Sequence, residues 1–513
     1  MSTTDLPTHV DVAIVGAGFA GIGMAIKLKQ AGRDDFVVLE RAGDVGGTWR
    51  DNVYPGCQCD VPSNVYSFSF APNPRWSRTF APQQEIWEYL RAVADRYALR
   101  PHMRFDAELV DATWDEPAQR WTIETVRGTL TARVLVGAMG ALSQPAIPDL
   151  PGLERFSGTT FHSAAWDHDH DLAGRRVAVI GTGASAIQFV PAIQPQVGRL
   201  TVFQRTPPWI MPRRDRRVRP RERGLFRLLP AAQKAVRATV YWGRELTVLP
   251  FMKPRVLGKI PERMARAHLR RSVKDPALRA RLTPDYAIGC KRILLSNEWY
   301  PALQQPNVEV VSDAIAEIAE NGVLTRDGRL HEADTIIFGT GFHVTDMPFV
   351  ERLHGRGGRK LGDLWREEGM AALRGTTIGG FPNLFLLVGP NTGLGHNSIV
   401  FMIEAQLTYA LDALARTEQA GAAVFEPDAA AQRRWNERLQ AKMRGTVWTA
   451  GGCASWYLDA HGRNTTLWPG SSWWFRSATR RFDPAEYALT PPAAGDLREG
   501  DERAGASPRY ITA

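Results

Sequence analysis

Two glycine clusters in this 513-residue chain have the residue types and spacing that bind a dinucleotide. In the first, VAIVGAGFAG, Gly16, Gly18 and Gly21 stand at the G-x-G-x-x-G spacing, after an alternating run from Val10 to Val15 and before an amphipathic stretch that leads into FVVLE. Each glycine has a mechanical reason to be there. The first makes a tight turn, the second lets backbone approach a pyrophosphate, and the third allows close helix–strand packing, with the helix N-terminus facing the phosphates. Glu40 closes the unit 24 positions past Gly16, where its carboxylate can accept hydrogen bonds from ribose hydroxyls. The second cluster, RRVAVIGTGASAIQFVPAI, repeats the pattern in Gly181 and Gly183, with Ala186 in the third glycine's place. Its closing residue is Arg205, again 24 positions on. Arginine there favours a 2′-phosphate over a free hydroxyl, so the second site is expected to take NADPH. Two sites imply two cofactors, and the acid-bearing one suits a tightly held FAD.

Further signals show how the chain must be arranged around these sites. After FVVLE, the bend RAGDVGGTW brings Gly46, Gly47, Thr48 and Trp49 close to a large flat ligand. ADTIIFGTGF, from Ala333 to Phe342, reads as a buried strand by which the chain re-enters the flavin domain after an insertion. FPNLFLLVGPNTGLGHN adds another strand and a glycine-rich loop, Gly389 to Asn397, that could close over the flavin ring. The expected architecture is α/β, with two Rossmann-like domains and a helical insertion. FAD-binding segments at 1–151 and 336–490 enclose NADPH-binding segments at 152–212 and 288–335, a helical subdomain at 213–287 splits the latter, and a flexible tail runs from 491 to 513.

Composition narrows the function classes. Hydrophobic residues make up 44% and charged residues 23%, ordinary for a globular protein. The N-terminal sequence has no basic region followed by an apolar core and cleavage site, so a cytoplasmic location is expected, with no stable membrane insertion. Cys57, Cys59, Cys290 and Cys453 match no metal pattern and are expected to be free thiols of a reducing compartment. The net charge of +9 is concentrated in PRRDRRVRPRER, from Pro212 to Arg223. No zinc-finger, helix-turn-helix or aromatic RNA-binding signature accompanies it, so no nucleic-acid partner is expected. Disulfide reductases also pair FAD with a nicotinamide, but they carry a C-x4-C pair just after the GG-T bend. Here Trp49 stands in the first cysteine's place, and a Cys57–Cys59 bridge would be strained.

Between the two nucleotide units runs FSGTTFHSAAWD. It fits F-x-G-x-x-x-H-x-x-x-W-[P/D] in Phe156, Gly158, His162, Trp166 and Asp167, and so resembles the fingerprint of type I Baeyer–Villiger monooxygenases. The resemblance extends through YPGCQCD, QRTP, GCKRILLSNEWY, GTGF, FPNLF and ASWY, from Val10 to about Tyr487. It implies an NADPH- and O2-dependent flavoprotein that inserts one oxygen beside a ketone carbonyl through a C4a-peroxyflavin, giving an ester or lactone. A related alternative oxidises sulfur or nitrogen in soft nucleophiles, and those relatives usually lack Trp166 and an acid at Asp60. By the resemblance, Arg292 steadies the negative oxygen and Asp60 orients Arg292. Lys291 joins Arg205 and Thr206 on the 2′-phosphate, Ser185 belongs to the second dinucleotide site, and Trp456 contacts the nicotinamide cofactor. His162 couples the domains rather than doing chemistry. Gly339 stands where the family more often has alanine. The sequence is silent on which ketone is oxidised and on oligomeric state.

Overall fold

The computed structural model describes residues 5–453, 455, 457–459 and 461–493. Trp456 and residues 494–513, most of the expected tail, lie outside the described residues. Pro491 and Ala493 are tied to Gln119 by hydrogen bonds of 3.0 and 2.9 Å.

The run from Val10 to Val15 forms β1 (His9–Val15), and its last four residues are all buried. This burial follows from position: β1 pairs in parallel with β2 (Phe36–Leu39) on one side and with β6 (Gly128–Gly137) on the other. Helix α1 (Phe19–Gln30) connects β1 to β2 and packs against α10 (Ile399–Gln419). Beyond β2 lies β3 (Met103–Arg104), and beyond β6 the antiparallel β5 (Arg120–Thr125) and β4 (Leu109–Asp115). Two late strands rejoin this sheet, β12 (Leu353–His354) beside β4 and β13 (Leu384–Leu386) beside β6.

A second sheet is wholly parallel. Its order is β10 (Val308–Val311), β9 (Arg199–Phe203), β8 (Arg176–Ile180), β11 (Thr335–Phe338) and β7 (Thr159–His162). Helix α3 (Ala186–Ile193) follows β8 and buries Ile187, Phe189, Val190 and Ile193 in the core of this domain. Between β9 and β10 the chain makes the expected helical excursion. Helices α4 (Pro220–Leu228), α5 (Pro230–Glu245), α6 (Leu249–Met252), α7 (Pro254–Leu257), α8 (Lys259–Ser272) and α9 (Pro276–Arg281) carry it.

One boundary differs from the sequence reading. Residues 335–338 do not return the chain to the flavin-type sheet at 336, because β11 sits between β8 and β7 inside the second sheet. A four-residue apolar strand reads the same in either sheet, and its register with Val177–Ile180 settles the matter. The crossing back comes after Gly339, where the outgoing and returning segments run side by side. Ala146 N donates to Gly341 O at 2.9 Å, Thr340 Oγ1 to Ala146 O at 2.6 Å, and His343 N to Gln144 O at 3.0 Å.

Candidate active site

The two glycine turns are built alike. Gly16 and Gly181 have φ of +105° and +110°, and a Cβ on either would lie 2.7 or 2.5 Å from a carbonyl oxygen, of Ala138 and Gly339 respectively. Only glycine meets both conditions. The N-terminus of α1 at Gly18 has no side-chain cap, and Gly18 faces Gly47, so that a Cβ on Gly47 would stand 3.3 Å from Gly18 Cα. This is a backbone-walled cradle at a positive helix end, suited to a pyrophosphate. Glu40 is buried at the end of β2. It accepts from Ala17 N at 2.8 Å, Ala42 N at 3.1 Å and Arg50 Nη1 at 2.9 Å. A carboxylate offers about four acceptor positions, so one is left for a ribose hydroxyl. Arg50, which the motif reading did not single out, fixes this carboxylate from one side. Trp49 buries its ring edge-on against Tyr66 and donates its indole N–H to that hydroxyl at 3.1 Å, beside Thr48 at the start of a short helix, α2 (Thr48–Asp51).

In the second unit, Ser185 precedes α3 and Thr206 O lies 3.4 Å from Thr182 Oγ1. Arg205 is exposed just past β9. Burial, then the nearby Arg205 charge, pull Lys291 below its ordinary value, and Asp285 offsets this only in part. Two cations that disfavour each other are a receptor for a dianion, so these residues fit a 2′-phosphate. The segment from Tyr54 to Asp60 leans on this domain: Gln58 N donates to Gln188 Oε1 at 3.1 Å, and Gln188 Nε2 to Gln58 O at 2.9 Å.

At its end that segment delivers Asp60 to Arg292. Arg292 Nε and Nη2 both donate to Asp60 Oδ2, at 2.8 and 2.6 Å. The Arg292 side chain keeps 35% of its surface uncovered and that of Asp60 24%, so the pair is half-buried. The Asp60 charge holds the Arg292 guanidinium well above its usual value against the pull of burial. Burial pushes the Asp60 carboxyl up, but the Arg292 charge and hydrogen bonds outweigh it, with help from Arg244, and Asp60 stays below the usual carboxylate range. Arg244 escaped the sequence reading. It projects from the last turn of α5, its charge acts on Asp60 and Arg292, and its buried Nε has no hydrogen-bond partner among the described residues. Tyr457, buried beside Arg292, was also missed; burial pushes its phenol up to about 12. A lone arginine on a charged helix and a tyrosine in a loop carry no spacing signal by which they could be found.

One expectation is corrected here. Cys290 and Cys453 are not free thiols but form a disulfide across 163 residues of sequence. The bond ties the segment carrying Lys291 and Arg292 to the loop carrying Tyr457, a proximity that only the fold creates. Cys57 and Cys59 are unpaired, and burial drives the Cys57 thiol up to about 12 and holds the Cys59 thiol well above its ordinary value. Neither is a redox thiolate.

The linker residues lie apart from this pair. Gly158 is required by packing, since a Cβ would fall 2.4 Å from Asp334 O and 2.7 Å from the Phe156 ring. Trp166 packs between Phe161 and Phe189, at 5.2 and 5.3 Å. Asp167 Oδ1 accepts from Asp169 N and His170 N, making a turn. His162, buried in β7, accepts at Nδ1 from Ala164 N at 3.0 Å, which assigns its proton to Nε2, an atom with no hydrogen-bond partner among the described residues. The ring rests edge-on against Phe342, at the crossing between domains.

These two glycine-turn cradles and a half-buried arginine–carboxylate pair define the class of protein: a two-domain flavoprotein of the pyridine-nucleotide type. The family model described as pyridine nucleotide-disulphide oxidoreductase matches residues 13–239. A Baeyer–Villiger monooxygenase of Streptomyces coelicolor is 58% identical over 95% of this chain and 94% of its own length, and one of Pseudomonas aeruginosa is 50% identical over 99% and 97%. A closed crystal structure of cyclohexanone monooxygenase superposes with a TM-score of 0.84 at 29% identity, covering 95% of this chain and 100% of that one. An oxidized steroid monooxygenase bound to NADP superposes with a TM-score of 0.82 at 33% identity, covering 94% and 100%. The chain belongs to the Baeyer–Villiger monooxygenase family.

Proposed function

We propose that this chain uses FAD, NADPH and O2 to insert one oxygen atom next to a ketone carbonyl, with Arg292 as the fixed cation of the reaction and Asp60 as the residue that orients it. When bound, the flavin, reduced by NADPH, would supply the activation of dioxygen. The work of the protein is to place charge and exclude water. Arginine cannot lose its proton, and a preorganised cation in a cleft stabilises developing oxyanions without reorganising. Asp60 occupies two of the five N–H donors of Arg292, leaving three for the reacting oxygens. Lys291, Arg205 and Thr206 hold the 2′-phosphate, while the turns at Gly16 and Gly18 and at Gly181, Gly183 and Ser185 hold pyrophosphates. Glu40 takes the flavin-side ribose, and Gly47, Thr48 and Trp49 lie against the flavin. His162 acts by bracing the interdomain crossing.

The single observation that carries the reading is the Arg292–Asp60 pair at 2.6 Å, which joins the segment after the first nucleotide unit to the neighbour of Lys291. Oxidation of a soft sulfur or nitrogen needs no such clamp, which is why ketone oxygenation is preferred. The test is a ketone panel incubated with the purified enzyme, NADPH and O2, with products read by mass spectrometry. A product heavier than the ketone by one oxygen, with ketone-dependent NADPH consumption, is expected. Consumption without any oxygenated ketone across the panel would overturn the reading.

A further inference from the structure

The helical excursion carries a surface that the reaction does not use. Of sixteen large hydrophobic residues exposed among the described residues, ten fall between Leu225 and Met264. Scattered exposed apolar side chains are normal, but this concentration within forty positions is not. On α5, the turn after it and the start of α6, Trp242, Leu246 and Leu249 are 55, 68 and 46% exposed and recur at helical spacing. On α7 and α8, Val256, Ile260 and Met264, spaced by four, are 73, 59 and 44% exposed. These elements follow one another in contact along the chain.

The charge around them has one sign. From residue 246 to 274 there are eight lysines and arginines and one acid, Glu262, which is already paired with Arg266 at 2.8 Å. Lys253, Arg255, Lys259 and Arg263 are exposed among the apolar residues. Over 213–282 the chain has 21 basic and five acidic side chains, a net +16 against +9 for the whole protein, so the remainder is net negative. The inner side of the same helix is anchored: buried Glu245 accepts from Asn397 Nδ2 at 2.6 Å and Ser472 N at 3.0 Å, and Arg244 faces Asp60. The outward apolar face is therefore held on a fixed support and is not a frayed segment.

We infer that this face docks the enzyme on the surface of an anionic lipid bilayer. Apolar side chains interleaved with cations gain twice there, by entering the acyl boundary and by meeting lipid headgroups of opposite charge. A second copy fits poorly, because it would bring one strongly positive face against another. No helix of the described residues is long and apolar enough to cross a membrane, so the contact is peripheral.

The test is cosedimentation of the FAD-loaded full chain with vesicles of phosphatidylcholine alone and of phosphatidylcholine mixed with phosphatidylglycerol, without ketone. Binding to the mixed vesicles only, released by high salt, is expected. A variant combining Leu246→Glu and Ile260→Glu should bind about tenfold more weakly or less, given the apolar area it withdraws, while keeping ketone-dependent NADPH oxidation. Neutralising Lys253, Arg255, Lys259 and Arg263 to Gln should have the same effect on binding, and serves if the first variant does not fold. Failure to bind either vesicle, equal binding to both, or unaltered binding by the folded variants would overturn the proposal. So would self-association in sedimentation equilibrium that the substitutions abolish without any vesicle binding. Because vesicle binding is read without turnover, these failures are separate from a failure of the ketone reading.

Discussion

Glu40 and Arg205 occupy the same position in two copies of one structural unit and are suited to opposite partners, one accepting from hydroxyls and one answering a phosphate. Arg205→Ala is therefore expected to raise the KM for NADPH roughly 10- to 100-fold, the value of a charged hydrogen-bonding group, and to leave NADH almost unchanged. Equal losses in steady-state kinetics with both cofactors would contradict the assignment. His162 yields a pH prediction. Burial lowers its pKa from 6.5 to about 4, outweighing the opposing effect of the Gly341 backbone. The unfolded chain thus binds more protons between those values, and the His162 contribution to stability is complete above pH 6.5 and lost as pH falls toward 4. Over that window it amounts to about 3 kcal/mol. His162→Gln should show a shallower acid loss of thermal midpoint than the parent, and parallel curves would refute this. Residues with a spacing signal, such as Gly16, Glu40, Gly181 and Arg205, were legible in the sequence. Arg292 and Asp60, 232 positions apart, became legible as a pair only through family resemblance. Arg244, Tyr457 and the Cys290–Cys453 bond were not legible, because each depends on where a loop or helix end comes to rest.

At the scale of elements, two departures from the family pattern prove to be one. A Cβ on Gly339 would stand 3.2 Å from the Cβ of Ala186, so the methyl gained at 186 occupies space that alanine would need at 339. Gly339→Ala alone is expected to lower stability by about 1 kcal/mol, and Ala186→Gly in the same chain to return part of it, a coupling typical of residues in contact. Strictly additive changes in denaturant midpoint would show that the two sites do not compete. The same region explains why the strand at 335–338 was misplaced by pattern alone. TIIF is buried on both sides, and such a run carries no face-specific alternation to name its neighbours. The helical excursion was legible as an arginine-rich helical stretch, whereas its apolar outer face could be recognised only once the inner face had been located.

Among the ties between the two nucleotide units and the helical excursion are the paired crossing segments, the Gln58–Gln188 bonds, the Asp60–Arg292 pair, the Glu245 anchor and the Cys290–Cys453 bond. Closing a loop of 163 residues restrains the unfolded chain, so reduction of the bond should cost about 2–4 kcal/mol. Cys290→Ala should match the thermal midpoint of the thiol-treated parent, and an unchanged midpoint in both would remove the bond from the account. In the proposed function, different residues serve the two halves of the reaction: Glu40, Arg205, Lys291 and the glycine turns are assigned to cofactor binding, and Arg292 held by Asp60 to oxygen insertion. The most direct measurement is a comparison of Arg292→Ala with the parent, following flavin content, anaerobic reduction by NADPH and ester yield from a ketone that the parent oxidises. The account predicts normal flavin content, near-normal reduction and an ester yield lower by at least about 100-fold. Ester formation by Arg292→Ala at the parental rate would contradict it.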